Sequence, residues 1–270
     1  MIKFNKNILK VGIIVIDLEY AKEAFEQFCQ NYNMTEEKLL LKKRHTYQTM
    51  ACVDEIAANE KLSEEDHQLA LLIALLHDVG RFIQFEKIHT FDDQQVSHAL
   101  LSIEYLFEQE HLSDFILTRQ YDQIIRLAIL HHSDYKLPNT LTNIEQLHCK
   151  LIRDADKLDN FRVKNTETIH TLLDITESEL GNTFLSDYIY DQVMNCQLIK
   201  SSKRKTKMDI WVSWIAFIFD LNFKSSYCYL VRTQRVSQVI DRIDYTLPNT
   251  SKKMKLIKKH CENYIYQKSL

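Results

Sequence analysis

The chain predicts an all-α fold, and two features carry that prediction. Only 3 Gly and 2 Pro occur in 270 residues, too few for the tight turns that a fold of many short strands needs. From Thr35 onward the apolar residues recur at helical rather than alternating spacing, the mark of helices with one buried face. The length suits one large domain, or a domain with an appendage, and either buries a full core.

In chain order, residues 12–16 (Gly-Ile-Ile-Val-Ile) have strand-like content, whereas residues 19–32 read as a helix with Ala21, Phe25 and Phe28 on one side. In the next helix His45, Thr49, Cys52 and Ile56 fall at i, i+4, i+7 and i+11, a single helical face, so His45 points with core residues. Ser63 with Asp66 three residues on resembles a capping box. The helix it opens is rich in Leu, Ile and Ala and runs to the doublet His77-Asp78, where Gly80 reads as the stop and residues 81–90 as a loop. Asp92 answered by Gln95 reads as the start of the helix that carries His98, with Val96, Ala99, Leu100, Ile103, Leu106 and Phe107 as its core stripe. Residues 121–132 place Tyr121, Ile125, Ala128 and His132 on one face and Ile124, Leu127 and His131 on another. Residues 144–160 are helical, with Cys149, Ile152, Asp156 and Asn160 in line. Residues 211–219 are apolar all round and predict a buried helix. The expected organisation is a main domain over 1–200 and a helical C-terminal extension over 201–270 packed on it.

A net charge of -3 gives no general pull toward nucleic acid or an anionic membrane, so any attraction for phosphate is local. The basic residues 203–207 read as a solvated loop. The six cysteines are widely spaced, with no C-x-x-C pair, and are expected as reduced, mostly buried thiols. The apolar run over 11–18 is short, contains Asp17 and lacks a small-residue cleavage site. A soluble cytoplasmic protein, with neither nucleic acid nor membrane as partner, is the expectation.

Six positions stand out as possible metal ligands: His45, His77, Asp78, His98, His131 or His132, and Asp156. Each lies on or near the end of a helix beside apolar sequence. One histidine among apolar neighbours is an ordinary core residue, but His45, His77, Asp78 and Asp156 left unpaired together in a core would be costly. A shared cation removes that cost. His67, His89, His111, His148, His170 and His260 lack such a setting.

The order of these residues, a histidine, an HD doublet about thirty residues later, single histidines on two later helices and an aspartate in Ala155-Asp156-Lys157-Leu158, resembles the HD-domain superfamily of metal-dependent phosphohydrolases. The resemblance spans roughly residues 40–165 and is to the binuclear H…HD…H…H…D type. It implies an HD-type helical bundle holding two divalent transition-metal ions, with Mn or Fe favoured over oxygen-preferring Mg by so many imidazoles. The implied metal ligands are His45, His77, Asp78, His98, His132 and Asp156, with Asp78 bridging. His132 follows Ala128-Ile129 at the family's spacing, and His131 is the alternative. Asp78, Arg81 and Lys157 are the implied catalytic residues, and Arg81, Arg153, Lys157 and Asn160 the implied substrate ligands. Arg81 stands where several members carry a lysine and would grip a phosphate in bidentate fashion.

Residues 152–162 also look like the closing motif of the (p)ppGpp hydrolases, although Arg81-Phe82 replaces the acidic pair those enzymes carry after the doublet. Tyr135-Lys136-Leu137-Pro138 stands where the cyclic-di-GMP phosphodiesterases of the HD-GYP branch carry Gly-Tyr-Pro. The activity implied is hydrolysis of a phosphate ester of a nucleotide or related phosphorylated small molecule by metal-activated water. An HD-type di-iron oxygenase, or a phosphodiesterase of cyclic or signalling nucleotides, is the alternative.

Overall fold

In the computed structural model, which describes residues 16–270, α1 (Leu18–Cys29) opens where the Asp17 carboxylate accepts the Tyr20 amide. The strand-like reading of residues 12–15 lies outside the described residues; those described contain helices and turns but no strand. α1 buries Ala21, Phe25 and Phe28, the face its periodicity predicts. Phe25 and Phe28 meet the ring of Phe82 edge-on, with centroids 6.1 and 5.5 Å apart.

α2 (Glu37–Asn59) buries His45, Thr49, Cys52 and Ile56 together, as the i, i+4, i+7, i+11 pattern requires. Ser63 accepts the Asp66 amide and donates to its carboxylate at 2.6 Å, which fixes the start of α3 (Glu64–Leu76). α4 (Val79–Ile88) follows at once. The expected loop over 81–90 is therefore mostly helix, and Gly80 lies inside α4 instead of ending a helix. Residues 64–88 are apolar enough by composition to cross a membrane, but most of that stretch is buried in the core.

Asp92 accepts the Gln94 amide and so shapes a turn, and it is Ser97 that caps α5 (His98–Ile103). This corrects the predicted stripe. Val96 precedes the helix, and residues 104–108 continue it with wider i→i+5 hydrogen bonds that shift the facing of later side chains. Within α5 Leu100 is 60% exposed, while His98, Leu101 and Ser102 are buried.

α6 (Asp122–His131) packs on α7 (Asn143–Thr166), which starts in a reciprocal Thr142–Glu145 capping box. α7 also lies against α2 and α3, so these four helices surround the main core while α5 closes one side against α4 and α6.

Beyond α7 come α8 (Ile169–Leu173), α9 (Glu177–Gly181), α10 (Asp187–Met194), α11 (Lys207–Ile215), α12 (Lys224–Thr233), α13 (Arg235–Asp241) and α14 (Pro248–Ser269). The single buried helix predicted over 211–219 is α11 followed by a tighter turn at Ala216–Asp220. Trp211, Val212 and Ile215 are fully buried. α12 and α13 dock on α7, and α12 also meets α2 and α14.

Three charged side chains of α7 hold this part in place. Asp154 accepts the Asn222 and Phe223 amides and the Ser226 hydroxyl. Arg153 and Lys157 reach Asp220 at 2.5 and 2.9 Å. All six cysteines are free thiols, four of them buried.

Candidate metal centre

The His77-Asp78 doublet owes its geometry to a break in the backbone. His77 caps the C-terminal end of α3 while still in helical conformation, and Asp78 turns to φ -111°, ψ 16° before α4 begins. That bridge conformation lets two consecutive side chains reach the same space. Ser102 of α5 satisfies the freed backbone groups: its hydroxyl accepts the Gly80 amide at 2.8 Å and donates to the His77 carbonyl at 3.3 Å. A Cβ on Gly80 would lie 2.0 Å from the His98 carbonyl oxygen and 2.6 Å from the Ser102 amide nitrogen. Glycine is thus required here for close approach of two helices. That approach carries His98 to the doublet.

The six candidate ligands converge, and all but Asp156 are at least nine-tenths buried. The two Asp78 oxygens face different partners. Oδ2 lies 3.8 Å from His45 Nε2 and 3.7 Å from His77 Nε2, with Asp156 Oδ1 2.9 Å from His45 Nε2 and 4.0 Å from His77 Nε2. Oδ1 lies 3.4 Å from His98 Nε2 and 3.7 Å from His132 Nε2. His131, the alternative to His132, is turned away and bonds Asp134 at 2.7 Å.

Every one of the four histidines is held through its other nitrogen. Nδ1 of His77 donates to the Ala74 carbonyl and Nδ1 of His132 to the Ile129 carbonyl, both at 2.7 Å. Nδ1 of His45 meets Asp159 at 2.6 Å and Nδ1 of His98 meets Asp93 at 2.5 Å. With Nδ1 as donor, a neutral ring turns the Nε2 lone pair toward Asp78.

Two consequences test whether a metal fits. His77 Nε2 is buried with no hydrogen-bond partner among the described residues. His98 and His132 bring their Nε2 atoms to 2.9 Å, where two lone pairs repel unless a cation lies nearby. The donor set, four imidazoles and two carboxylates, suits a divalent transition metal.

The electrostatics agree. Burial, reinforced by neighbouring histidines, pushes His132 down to about 3 and also lowers His77 and His98, which keeps them neutral as ligands must be. Burial and Lys42 oppose protonation of His45, but its bonds to Asp156 and Asp159 raise it. Burial works against ionisation of Asp78, yet Lys42, His77, His98 and Arg81 hold its carboxyl well below the usual range.

Several neighbours escaped the sequence reading. Lys42, one turn before His45, places its ammonium 2.7 Å from Asp78 Oδ2 and 5.5 Å from the centre of the Phe91 ring. Asp159 orients His45 and is itself gripped by Arg162 at 2.5 and 2.9 Å. The signal for both was present in the sequence, since each lies three residues from a candidate ligand.

The four side chains expected to contact substrate all have partners within the chain. Arg153 and Lys157 are engaged with Asp220 and with backbone carbonyls, so they join α7 to the C-terminal part. Both terminal nitrogens of Arg81 bond Asp93, at 3.0 and 2.9 Å, while its Nε has no hydrogen-bond partner among the described residues and lies 3.8 Å from Asp78 Oδ1. Asn160 donates to Asp156 Oδ1 at 2.9 Å and accepts from Lys164 at 3.0 Å.

Arg81, Asp93 and His98 therefore form a chain in which the arginine positions the carboxylate that orients the histidine. On that hypothesis Arg81→Ala weakens metal affinity about 10- to 100-fold, the usual cost of losing an outer-shell partner. Competition against a chelating dye measures it. Unchanged affinity with reduced turnover would return Arg81 to the phosphate-clamp role.

Comparison with curated proteins gives no match, nor does comparison with solved structures. The family described as HD domain matches residues 43–160, a span that starts just before His45 and ends just after Asp156, on Asn160. Together with the helical fold, this identifies residues 43–160 as an HD domain, the domain of a superfamily of metal-dependent hydrolases.

Proposed function

We propose that the protein is a binuclear metal-dependent phosphohydrolase acting on a nucleotide or a related phosphorylated small molecule. The observation behind this is the divided setting of Asp78, whose two oxygens face two separate sets of imidazoles. In this reading His45, His77 and Asp156 hold one ion and His98 and His132 the other, with Asp78 shared. Mn or Fe suits such a nitrogen-rich set better than Mg. Ions held there acidify water and offset the charge of phosphoryl oxygens.

The chain's own side chains do the rest. Lys42, beside Asp78, brings a positive charge to the rim of the centre, where it can pair with a phosphoryl oxygen as charge builds up in the transition state. Asp159, Asp93 and the Ala74 and Ile129 carbonyls fix the imidazole rings, so the donors need no reorganisation during turnover. The same donor set also serves dioxygen chemistry in some HD-type proteins. The nearby cations Lys42 and Lys164 favour an anionic substrate instead.

The test is a phosphate-release screen over nucleotides and sugar phosphates, run after chelation and after reloading with Mn, Fe or Mg. Release that chelation abolishes and Mn or Fe restores is expected. Oxygen uptake with an organic substrate, and no release from any phosphate ester, would replace the reading with the oxygenase one.

A further inference from the structure

Among the described residues, three lysines are more than nine-tenths buried: Lys157, Lys164 and Lys253, at 6, 7 and 8% exposure. Two are ion-paired, Lys157 with Asp220 at 2.9 Å and Lys253 with Asp187 at 2.6 Å. Lys164 is different. Its ammonium bonds the Asn160 amide oxygen at 3.0 Å and lies 4.2 Å from the centre of the Trp214 ring, and no described carboxylate comes within ion-pair distance. A buried cation without a counter-charge is expensive to retain.

Its position suggests what the missing counter-charge is. Asp156, Asn160 and Lys164 succeed one another at four-residue spacing on α7, so the ammonium is one amide side chain from the metal centre. Burial pushes Lys164 down to about 7, with Lys42 and Arg81 acting in the same sense and Asp156 and Asp159 against it. An arriving anion would reverse that shift.

Arg204, from the run read as a solvated loop, is half-buried. It bonds the Ser201 carbonyl at 3.3 Å and Ser213, next to Trp214, at 3.5 Å, and no described carboxylate pairs with it directly. Asp92 is close enough to influence it. Asp92 adjoins Phe91, whose ring lies against both Lys42 and Arg81. The bond to Ser213 sets Arg204 one residue from Trp214, the ring that lies on Lys164.

We infer that Lys164 and Arg204 form a second anion subsite beside the metal centre, which takes a further phosphate linked to the one being cleaved. This rests on the phosphohydrolase reading above and narrows it. A single phosphate is already matched by the centre and Lys42, and a second one would give Lys164 and Arg204 the counter-charge that no described carboxylate supplies by direct pairing. The substrate class is then a di- or triphosphate, or a bisphosphate of comparable reach. The C-terminal part, which supplies Arg204 and Trp214, selects it.

The experiment compares inorganic pyrophosphate with orthophosphate on the purified protein, by calorimetry and by tryptophan emission in a Trp211→Phe background, where the signal comes from Trp214, which lies on Lys164. Wild type is expected to bind pyrophosphate at least tenfold more tightly, and the Trp211→Phe protein to change its emission on binding. Lys164→Met is expected to lose that preference, Lys164→Gln likewise, and Arg204→Gln part of it. If Lys164→Met and Lys164→Gln both keep the wild-type preference, the subsite is refuted even where phosphate esters are hydrolysed. If the preference depends on Lys164 but no phosphate ester is hydrolysed, the subsite stands and the phosphohydrolase reading falls.

Discussion

Gly80→Ala is expected to lower the free energy of unfolding by about 3 kcal/mol or more, the upper range for overpacking a close contact. For a chain of this size that is a fall in Tm of about 10 °C. The added methyl carbon would sit 2.0 Å from the His98 carbonyl oxygen and 2.6 Å from the Ser102 amide. Both are backbone atoms, so no side chain can swing aside, and α4 and α5 must separate. Separation breaks the Ser102 bonds to Gly80 and His77 and draws His98 from Asp78. The same substitution therefore costs metal affinity as well as stability. Thermal unfolding measures the first effect, and a Tm within about 2 °C of wild type would mean that the two helices are not locked as described.

Gly80 also shows what a sequence conceals. A glycine after an apolar helix is read most readily as a stop, because glycine is common where backbones turn left-handed. Here it serves a close approach between helices distant in sequence, and nothing local distinguishes the two uses. The partners of Arg81, Arg153 and Lys157 were hidden for a related reason. Asp93 is 12 residues from Arg81, and Asp220 is 67 from Arg153, so no helical spacing announces them.

What could be read was what one helix determines alone. The buried face of α2, the Ser63 cap and the face of α1 follow from period and local hydrogen bonding. Each of the six candidate ligands stood at a helix end or on an apolar face, and the fold brings all six together. The choice between His131 and His132 depended on one residue of rotation, about 100° on a helix. The packing of α6 settles their placement: His132 is 3% exposed and faces Asp78, while His131 bonds Asp134.

Asp78→Ala is expected to have the largest effect on function. Asp78 is the one side chain within 4 Å of all four histidine Nε2 atoms. Its loss removes a carboxylate that faces both sets of donors and frees the Lys42 ammonium, whose only ion pair among the described residues it is. On the proposed phosphohydrolase reading, phosphate release should fall at least on the order of a thousandfold, since residues that hold metal together act as a unit. The helices should persist, because the hydrogen bonds that secure the doublet run through the backbone and Ser102.

The most direct measurement is the ratio of bound transition metal to protein, determined by elemental analysis on wild type and Asp78→Ala purified side by side. About two ions per chain are expected in wild type, as a shared carboxylate between two donor sets implies, and fewer than one in the variant. A wild-type protein that binds no transition metal, or an Asp78→Ala variant that retains the wild-type ratio, would contradict the account at its centre.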